Sequence, residues 1–379
     1  MLKIVLTGGG TGGHIYPLVA VGESLKKLAT EDNVSLDLYY LGVSGDYEFI
    51  LESADIRVHN VAGGKMRSYS SWRNFFDIFL ITYSFFQSIA ALFFIMPDVI
   101  FSKGGPGTAP VILAGKFYRI PVIIHESDAV PGRSNLIAGR HAARIAISFP
   151  SAAKYFGDKN VALVGNPIRA GLLKYAADKN SAMSAFELNA ALPVIVVLGG
   201  SQGAIRINDF IFDNLEKLLN GFQILHQVGA RNYDESLREE RFLIGNFTPE
   251  EKSRYKIFPY FKNERDMAIA LSAADVVVAR AGAGTIFEIA AFGKPSILIP
   301  LPEAAGDHQS ANAYEYAGAG AATVIEQKNL LFGIFEGQLN RILKDKELAG
   351  NMSKAALAFA RPQAADMIAS EILKLAGRI

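Results

Sequence analysis

Short apolar runs alternate along this chain with longer stretches in which apolar residues return at helical spacing. The first pattern predicts strands buried on both faces, and the second predicts helices laid against them. In the first half, strands are expected at 3–7, 36–41, 99–102, 121–125 and 144–148, with helices at 17–28, 47–52, 73–94, 110–118 and 134–139. The pattern restarts at Pro193, with strands at 194–198, 223–227, 255–258, 276–279, 296–299 and 322–325. Such alternation is that of a parallel sheet wound on both faces, here occurring twice. Segment 162–169, ALVGNPIR, reads as a strand ending in a turn and marks the expected hinge. An amphipathic helix follows Pro362 and is expected to return to the first domain. The expected domains are therefore 1–167 completed by 362–379, and 168–361.

Composition narrows this picture. A chain of 379 residues exceeds one ordinary core, and its 50% apolar content suffices for two. A net charge of +1 argues against a general nucleic-acid binder. The absence of cysteine excludes disulfides, thiolate metal sites and a cysteine nucleophile. The first strand begins near residue 2 with no basic, apolar signal before it, so a cytoplasmic setting is expected.

Two glycine-rich turns stand where a strand gives way to a helix: TGGGTGGH at 7–14 and LGGSQG at 198–203. Backbone N–H groups at a helix start attract anions, and glycine lets a phosphate come close. Gly8, Gly10 and Gly13 also fit the dinucleotide spacing, but the second strand ends in Tyr40, Leu41 and Gly42 without the usual ribose-binding acid. A phosphate or sugar-diphosphate site between two domains is the stronger reading. His14 follows the first turn. A helix N-terminus disfavours the imidazolium, so a neutral ring there could take a proton from an attacking hydroxyl; a packing histidine is the alternative. Lys103 opens the loop KGGPG, which suits a phosphate or is a plain turn with an exposed lysine. Glu126 and Asp128 lie at the next strand end, where such sheets bind ligands, unless Ser127 or Asp128 only caps a turn. Arg169 at the hinge could meet a diphosphate or form an ion pair. In ARAGAGTIFE at 279–288, Thr285 and Glu288 match a capping box, and Glu288 could equally hold ribose hydroxyls. Gln309 lies in a polar loop after an apolar strand. No Asp-x-Asp pair occurs, so helix dipoles and arginine are expected to neutralise a leaving diphosphate.

The most apolar stretch is 72–96, WRNFFDIFLITYSFFQSIAALFFIM. Asp77 and Gln87 interrupt it, and a span here would cut the first sheet in two. A helix with one face on the core and one on lipid fits better, with Lys65, Arg67 and Arg73 near anionic headgroups.

Taken together, GGGTGGH at 8–14, GGPG at 104–107, His125 and Glu126, GNPIR at 165–169, GGSQG at 199–203, the run 282–288 and DHQ at 307–309 resemble the MurG family over nearly the whole chain. The resemblance implies the α/β GT-B fold: two Rossmann-like, doubly wound parallel-sheet domains facing a cleft. It implies inverting, metal-independent transfer of N-acetylglucosamine from UDP-GlcNAc to the muramyl 4-hydroxyl of lipid I, the undecaprenyl-linked acceptor, giving lipid II for peptidoglycan. No cofactor and no nucleic acid are implied, and the protein would sit peripherally on the cytoplasmic face of the cell membrane. His14 is the first candidate for the base and Glu126 the second. Motif matching places the donor's diphosphate near Ser201 and Arg169, uracil on the backbone of Phe261, and phosphate and ribose on Ala283, Gly284, Thr285, Ile286, Phe287 and Glu288. Gln309 would meet a sugar hydroxyl, and Asp128 also belongs to the donor set. Thr11, Gly12 and Gly13 border the donor sugar, while Gly9, Gly10, Lys103, Gly104 and Gly105 would receive the acceptor's diphosphate. Trp72, Phe75, Phe76 and Phe79 would meet the membrane. The chain departs from the family in carrying Asp128 for the usual Asn, Ala281 for a Ser, and Ser310 where some members have a second Gln. Another UDP-sugar enzyme of this fold, such as a lipid glycosyltransferase or a UDP-GlcNAc 2-epimerase, and a non-catalytic nucleotide-sugar sensor are the alternatives.

Overall fold

A computed structural model describes residues 1–62, 73–157, 159–169, 171–200, 203–261, 263–302 and 304–377; for 73–78, 246 and 305 it describes the backbone only. Lys65, Arg67, Trp72 and Ser201 lie outside the described residues. The chain divides into two compact units, Met1–Ala170 with Arg361–Ile379, and Gly171–Ala360.

The first unit runs β1 (Leu2–Thr7), α1 (Gly12–Glu31), β2 (Leu36–Gly42), α2 (Glu48–Ser53), β3 (Arg57–Asn60), α3 (Arg73–Ile95), β4 (Val99–Ser102), α4 (Thr108–Phe117), β5 (Val122–Glu126), α5 (Arg133–Gly139), β6 (Arg144–Ile147) and β7 (Val161–Leu163). Its seven strands pair in parallel in the order β3-β2-β1-β4-β5-β6-β7. Strand β1 shows why the apolar runs are continuous. Leu2, Ile4 and Leu6 pack on one face of the sheet, in a core that includes Ile15 and Leu18 of α1. Val5 packs on the other face with Leu92 of α3 and Val111 of α4. A strand covered on both sides must be apolar at every position.

The second unit runs α6 (Lys179–Ala185), β8 (Val194–Leu198), α7 (Ile205–Asp213), α8 (Leu215–Leu219), β9 (Gln223–Gln227), α9 (Tyr233–Leu243), α10 (Pro249–Ser253), β10 (Tyr255–Phe258), α11 (Glu264–Ala273), β11 (Val276–Ala279), α12 (Ala283–Ala291), β12 (Ser296–Leu298), α13 (His308–Gly318), β13 (Ala322–Val324), α14 (Phe332–Lys344) and α15 (Lys346–Phe359). Its parallel sheet has the order β10-β9-β8-β11-β12-β13. Both sheets are thus doubly wound, as the hydrophobic pattern predicts.

Three local features differ from the sequence expectation. Strand β3 was not anticipated, because it is a largely exposed edge strand without an apolar run. Helix α1 begins at Gly12 rather than Pro17. The His14 and Ile15 amides both donate to the Thr11 carbonyl and start the helix inside the glycine turn (2.9 and 3.0 Å). Helix α12 begins at Ala283 with Gly282 before it, and no side chain caps it. Thr285 is therefore inside the helix, the capping box with Glu288 does not form, and Glu288 lies beyond the first turn.

Helix α16 (Ala364–Leu375) belongs to the first unit. Its Ile368, Ala369, Ile372 and Leu373 are buried in the core shared with α1. Glu371 accepts from Arg144 Nε at 2.8 Å, but both groups are well exposed. Apolar burial, rather than this ion pair, holds the helix. Ile372→Ala should cost about 2–5 kcal/mol in urea unfolding, and Glu371→Gln about 0–1 kcal/mol. Equal losses in the two variants would contradict that assignment.

Candidate functional site

In each unit the strand order reverses once, between β1 and β4 and between β8 and β11. Loops leaving the two strands at such a point diverge to opposite faces and open a crevice at the carboxyl edge. In the first unit these loops are the turn after Thr7 and the turn after Ser102. The Gly9 N–H donates to the Gly104 carbonyl (3.0 Å), tying one loop to the other. Gly105 has φ +97°, and a Cβ there would lie 2.9 Å from both the Gly9 nitrogen and His14 Nε2. Only glycine lets the imidazole rest against this loop.

His14 stands in the first turn of α1. Its Nδ1 shares a hydrogen bond with Thr11 Oγ1 (2.8 Å), which leaves the Thr11 side chain out of the helix cap. The Gly12 and Gly13 amides consequently have no side-chain cap. Burial and then the Lys103 ammonium hold the imidazole pKa down, to about 4, while Asp128 opposes them. The ring is neutral at pH 7, as expected, but the leading cause is burial and a neighbouring cation.

The expected exposed ammonium of Lys103 is not found. Lys103 is 1% exposed, its Nζ has no hydrogen-bond partner, and burial pushes its pKa down. The side chain is turned inward, so the plain turn with an exposed lysine is not what the structure shows. Gly9, Gly10, Gly104 and Gly105 keep their places around the crevice as backbone.

Glu126 is 2% exposed at the end of β5. Its Oε1 accepts from the Asp128 N–H (2.9 Å), and its Oε2 accepts from the Gly132 N–H (3.1 Å) and Asn135 Nδ2 (2.9 Å). Burial, followed by the Asp128 charge, pushes the carboxyl pKa up. Both oxygens are committed to the loop, so the side chain holds Asp128 and α5 in place, an arrangement poorly suited to a base. No side chain caps α5, whose N-cap position is Gly132. Asn135, not singled out by the sequence, also donates Nδ2 to the His125 carbonyl (3.0 Å). Buried His125 donates Nε2 to the Gly165 carbonyl (2.8 Å), which positions the turn before Arg169. Arg169 falls in the first unit, with its guanidinium carbon 5.6 Å from the centre of the Tyr16 ring.

In the second unit, Gly199 donates its N–H to the Gln227 carbonyl (2.9 Å). Gly203 has φ +81°, and a Cβ there would collide with Asn232 and the Val228 carbonyl. Helices α7 and α12 both begin at this reversal without side-chain caps. Ala283, Gly284 and Thr285 present the first amides of α12, whereas Ile286 and Phe287 are buried in it. The Phe261 N–H is committed to Gln227 Oε1 (3.1 Å), and Gln309 Oε1 accepts from the Leu301 N–H (3.1 Å). Arg280 was read only as part of a motif. It donates to the carbonyls of Ile299 (3.1 Å) and Pro300 (3.2 Å) and to Gln327 Oε1 (2.6 Å), bracing the loop that leads to Gln309. A lone arginine between small residues at a strand end was its only sequence signal.

Helix α3 exposes Phe79, Tyr83, Phe86, Phe93 and Phe94, and α4 exposes Leu113 and Phe117. The side chains of Phe75 and Phe76 lie outside the description. Among the described residues no helix is long and apolar enough to cross a membrane, and no cluster of three or more His, Asp or Glu could hold a metal ion.

Residues 4–147 match the glycosyltransferase family 28 N-terminal domain, and residues 194–368 match the family 28 C-terminal domain. A Treponema denticola UDP-N-acetylglucosamine–N-acetylmuramyl-(pentapeptide) pyrophosphoryl-undecaprenol N-acetylglucosamine transferase is 35% identical, over 97% of this chain and 96% of its own. A Bacillus anthracis protein of the same name, numbered 2, is 37% identical over 87% and 88%. The crystal structure of Acinetobacter baumannii MurG superposes with a TM-score of 0.73 at 26% identity, covering 99% of this chain and 100% of that one.

The loop-holding role of Glu126 has a measurable consequence. Glu126→Ala removes the acceptor of three donors, of which Asn135 is buried, and should cost about 1–3 kcal/mol in urea unfolding, with Glu126→Gln in between. A carboxylate kept open for chemistry would leave stability unchanged.

Proposed function

The chain belongs to the MurG family of UDP-N-acetylglucosamine–N-acetylmuramyl-(pentapeptide) pyrophosphoryl-undecaprenol N-acetylglucosamine transferases, and on that premise we propose that it transfers N-acetylglucosamine from UDP-GlcNAc to the muramyl 4-hydroxyl of lipid I. The observation that carries the chemistry is the neutral imidazole of His14, held by Thr11 and laid against the Gly105 loop beside uncapped helix N-termini. With its proton on Nδ1, toward Thr11, the ring has a lone pair on Nε2. That nitrogen accepts the hydroxyl proton as the acceptor oxygen bonds to the anomeric carbon. The bond from that carbon to the diphosphate breaks, and its electron pair leaves with UDP from the opposite face.

The leaving diphosphate meets backbone dipoles. The first amides of α7 and α12 are the donors, with Ser201 and Arg169 as further contacts on the family pattern. Glu288 and Gln309 take ribose and sugar hydroxyls, Asp128 faces the donor sugar, and Phe261 lies by the base. Thr11, Gly12 and Gly13 border the donor sugar, and the acceptor's diphosphate lies on the backbone of Gly9, Gly10, Gly104 and Gly105. No metal is assigned a step.

The lipid acceptor calls for a membrane surface. The exposed apolar stripe on α3, continued by Leu113 and Phe117 of α4, supports docking on the cytoplasmic leaflet. Exposed Lys116, Arg140 and Lys159 gather around His141 just beyond α4, suited to anionic headgroups.

UDP release from UDP-GlcNAc should require a lipid I analogue and persist in EDTA. Release without acceptor, or epimerised sugar, would overturn the assignment. His14→Ala should lower turnover by about 10²–10⁴-fold with little loss of donor affinity. Phe79→Glu with Phe86→Glu should abolish sedimentation with anionic vesicles while sparing turnover of a water-soluble acceptor. Retained sedimentation would remove α3 from the membrane contact.

A further inference from the structure

The glycine turn that carries His14 is held by a side chain from the neighbouring strand. Tyr40 stands in β2, its Cα paired with Leu6 of β1, and its ring is fully buried in the core that packs α1. Its hydroxyl donates to the Gly8 carbonyl and to the Val43 carbonyl, each at 2.8 Å. A hydroxyl has one proton, so the two carbonyls share it. Burial raises the phenol pKa, which keeps that proton in place. The backbone is shaped for this approach. A Cβ on Gly42 would lie 2.9 Å from the Tyr40 hydroxyl and 3.0 Å from the Gly8 carbonyl.

The Gly8 carbonyl belongs to the same peptide unit as the Gly9 N–H, which donates to the Gly104 carbonyl (3.0 Å). That peptide is therefore gripped at both ends, by β2 through Tyr40 and by the loop after β4 through Gly104. Between two glycines a peptide plane turns easily, but one held at its oxygen and at its nitrogen does not. The gripped unit lies directly against His14. A Cβ on Gly8 would be 3.5 Å from His14 Cβ, and one on Gly9 would be 3.2 Å from His14 Nδ1. The Gly9 carbonyl accepts from the Thr11 N–H (2.9 Å), and Thr11 holds the imidazole. Near the end of its second strand, where a dinucleotide-binding sheet carries a ribose-binding acid, this chain has a phenol that binds its own turn.

We propose that Tyr40 is a positioning residue for group transfer: its hydroxyl, together with the Gly104 carbonyl, clamps the Gly8–Gly9 peptide and so fixes the turn that seats His14. Fully buried, Tyr40 touches no substrate and acts through the turn. Its effect on turnover rests on the base role of His14 proposed above; the clamp itself does not.

Tyr40→Phe keeps the ring and deletes the hydroxyl. In the full-length protein, hydrogen exchange read by mass spectrometry should become about three- to tenfold faster over residues 8–14, with β1, β2 and β4 unchanged. With a soluble acceptor, kcat should fall about ten- to hundredfold, while the affinity for UDP-GlcNAc, assigned to the second unit, holds. In a His14→Ala protein, Tyr40→Phe should lower kcat no further, because the group it positions is gone. Gly42→Ala pushes a methyl group between the hydroxyl and the Gly8 carbonyl and should reproduce the faster exchange; it decides the question if the Tyr40→Phe protein does not fold. Unchanged exchange at 8–14, a rise spread evenly over the first unit, a parent-like kcat, or a Tyr40→Phe loss that multiplies with a His14→Ala loss would overturn the proposal. Full turnover in the His14→Ala protein, with Tyr40→Phe still lowering kcat there, would uphold the clamp and remove His14 as the base.

Discussion

The parallel ladder between β1 and β4 is the constraint on which the first unit's site depends. It pairs Ile4 with Val99 and Thr7 with Ser102, residues far apart in the chain. Because β2 occupies the other side of β1, the chain must reverse direction across the sheet at this ladder. The connections from β1 and β4 then leave toward opposite faces, α1 into one core and α4 into the other. Their loops separate at the carboxyl edge and meet again through the Gly9–Gly104 bond and the packing of His14 against Gly105. The crevice, the exposed amides at the start of α1 and the seat of His14 all follow from that geometry. The ladder between β8 and β11 imposes the same arrangement on the second unit, where α7 and α12 start.

Beneath the first crevice lies a polar layer that a stability-optimised core would not contain. Thr7 Oγ1, Lys103 Nζ, His125 Nδ1, Asn135 Oδ1 and Asn166 Oδ1 are buried without hydrogen-bond partners. Each such group costs about 1–3 kcal/mol relative to a satisfied one. The second unit offers a contrast. Its buried His226 shares bonds with Tyr255 (2.8 Å) and Asn208 (3.1 Å), away from the loops that start α7 and α12. Unpartnered buried atoms also occur at Ser84, Arg254, Ser296, Tyr316 and Gln338, so the layer under the glycine loops is set apart by its buried lysine and histidine rather than by unsatisfied polarity alone.

The sequence disclosed those features that repeat locally and concealed those created by packing. Strands buried on both faces appear as unbroken apolar runs, so nearly all of the two sheets was legible. Strand β3 was not, because one exposed edge strand carries no such run. The glycine turns located the uncapped starts of α1, α7 and α12, although the start of α1 lay earlier and that of α12 excluded the capping box. The inward turn of Lys103 had no local sign, since KGGPG also describes an exposed turn. Burial of its ammonium is a property of β5 and the following loop. The engagement of Glu126 was hidden for the same reason: its donors come from the following loop and from α5.

Helix α3 carries apolar residues well beyond the face it packs on the core, where Leu92 and Ile95 are buried. Its inward face places Ser84 and Ser88 fully buried, with Ser88 Oγ bonded to the Ser84 carbonyl (2.7 Å). Tyr118 beyond α4 bonds to the Ile89 carbonyl (3.2 Å). Phenylalanines meanwhile face outward, with Phe94 81% exposed. Full burial of one such ring is worth about 1.5–3 kcal/mol, so several together exceed what an isolated water-exposed helix would retain by chance. An apolar environment outside the protein recovers that free energy. Because α4 both carries exposed Phe117 and begins directly after the loop against which His14 rests, one short helix joins the exposed apolar surface to that loop. His14 and Phe117 come from different βα units, the one that follows β1 and the one that follows β4, and the ladder between those strands sets the two units side by side.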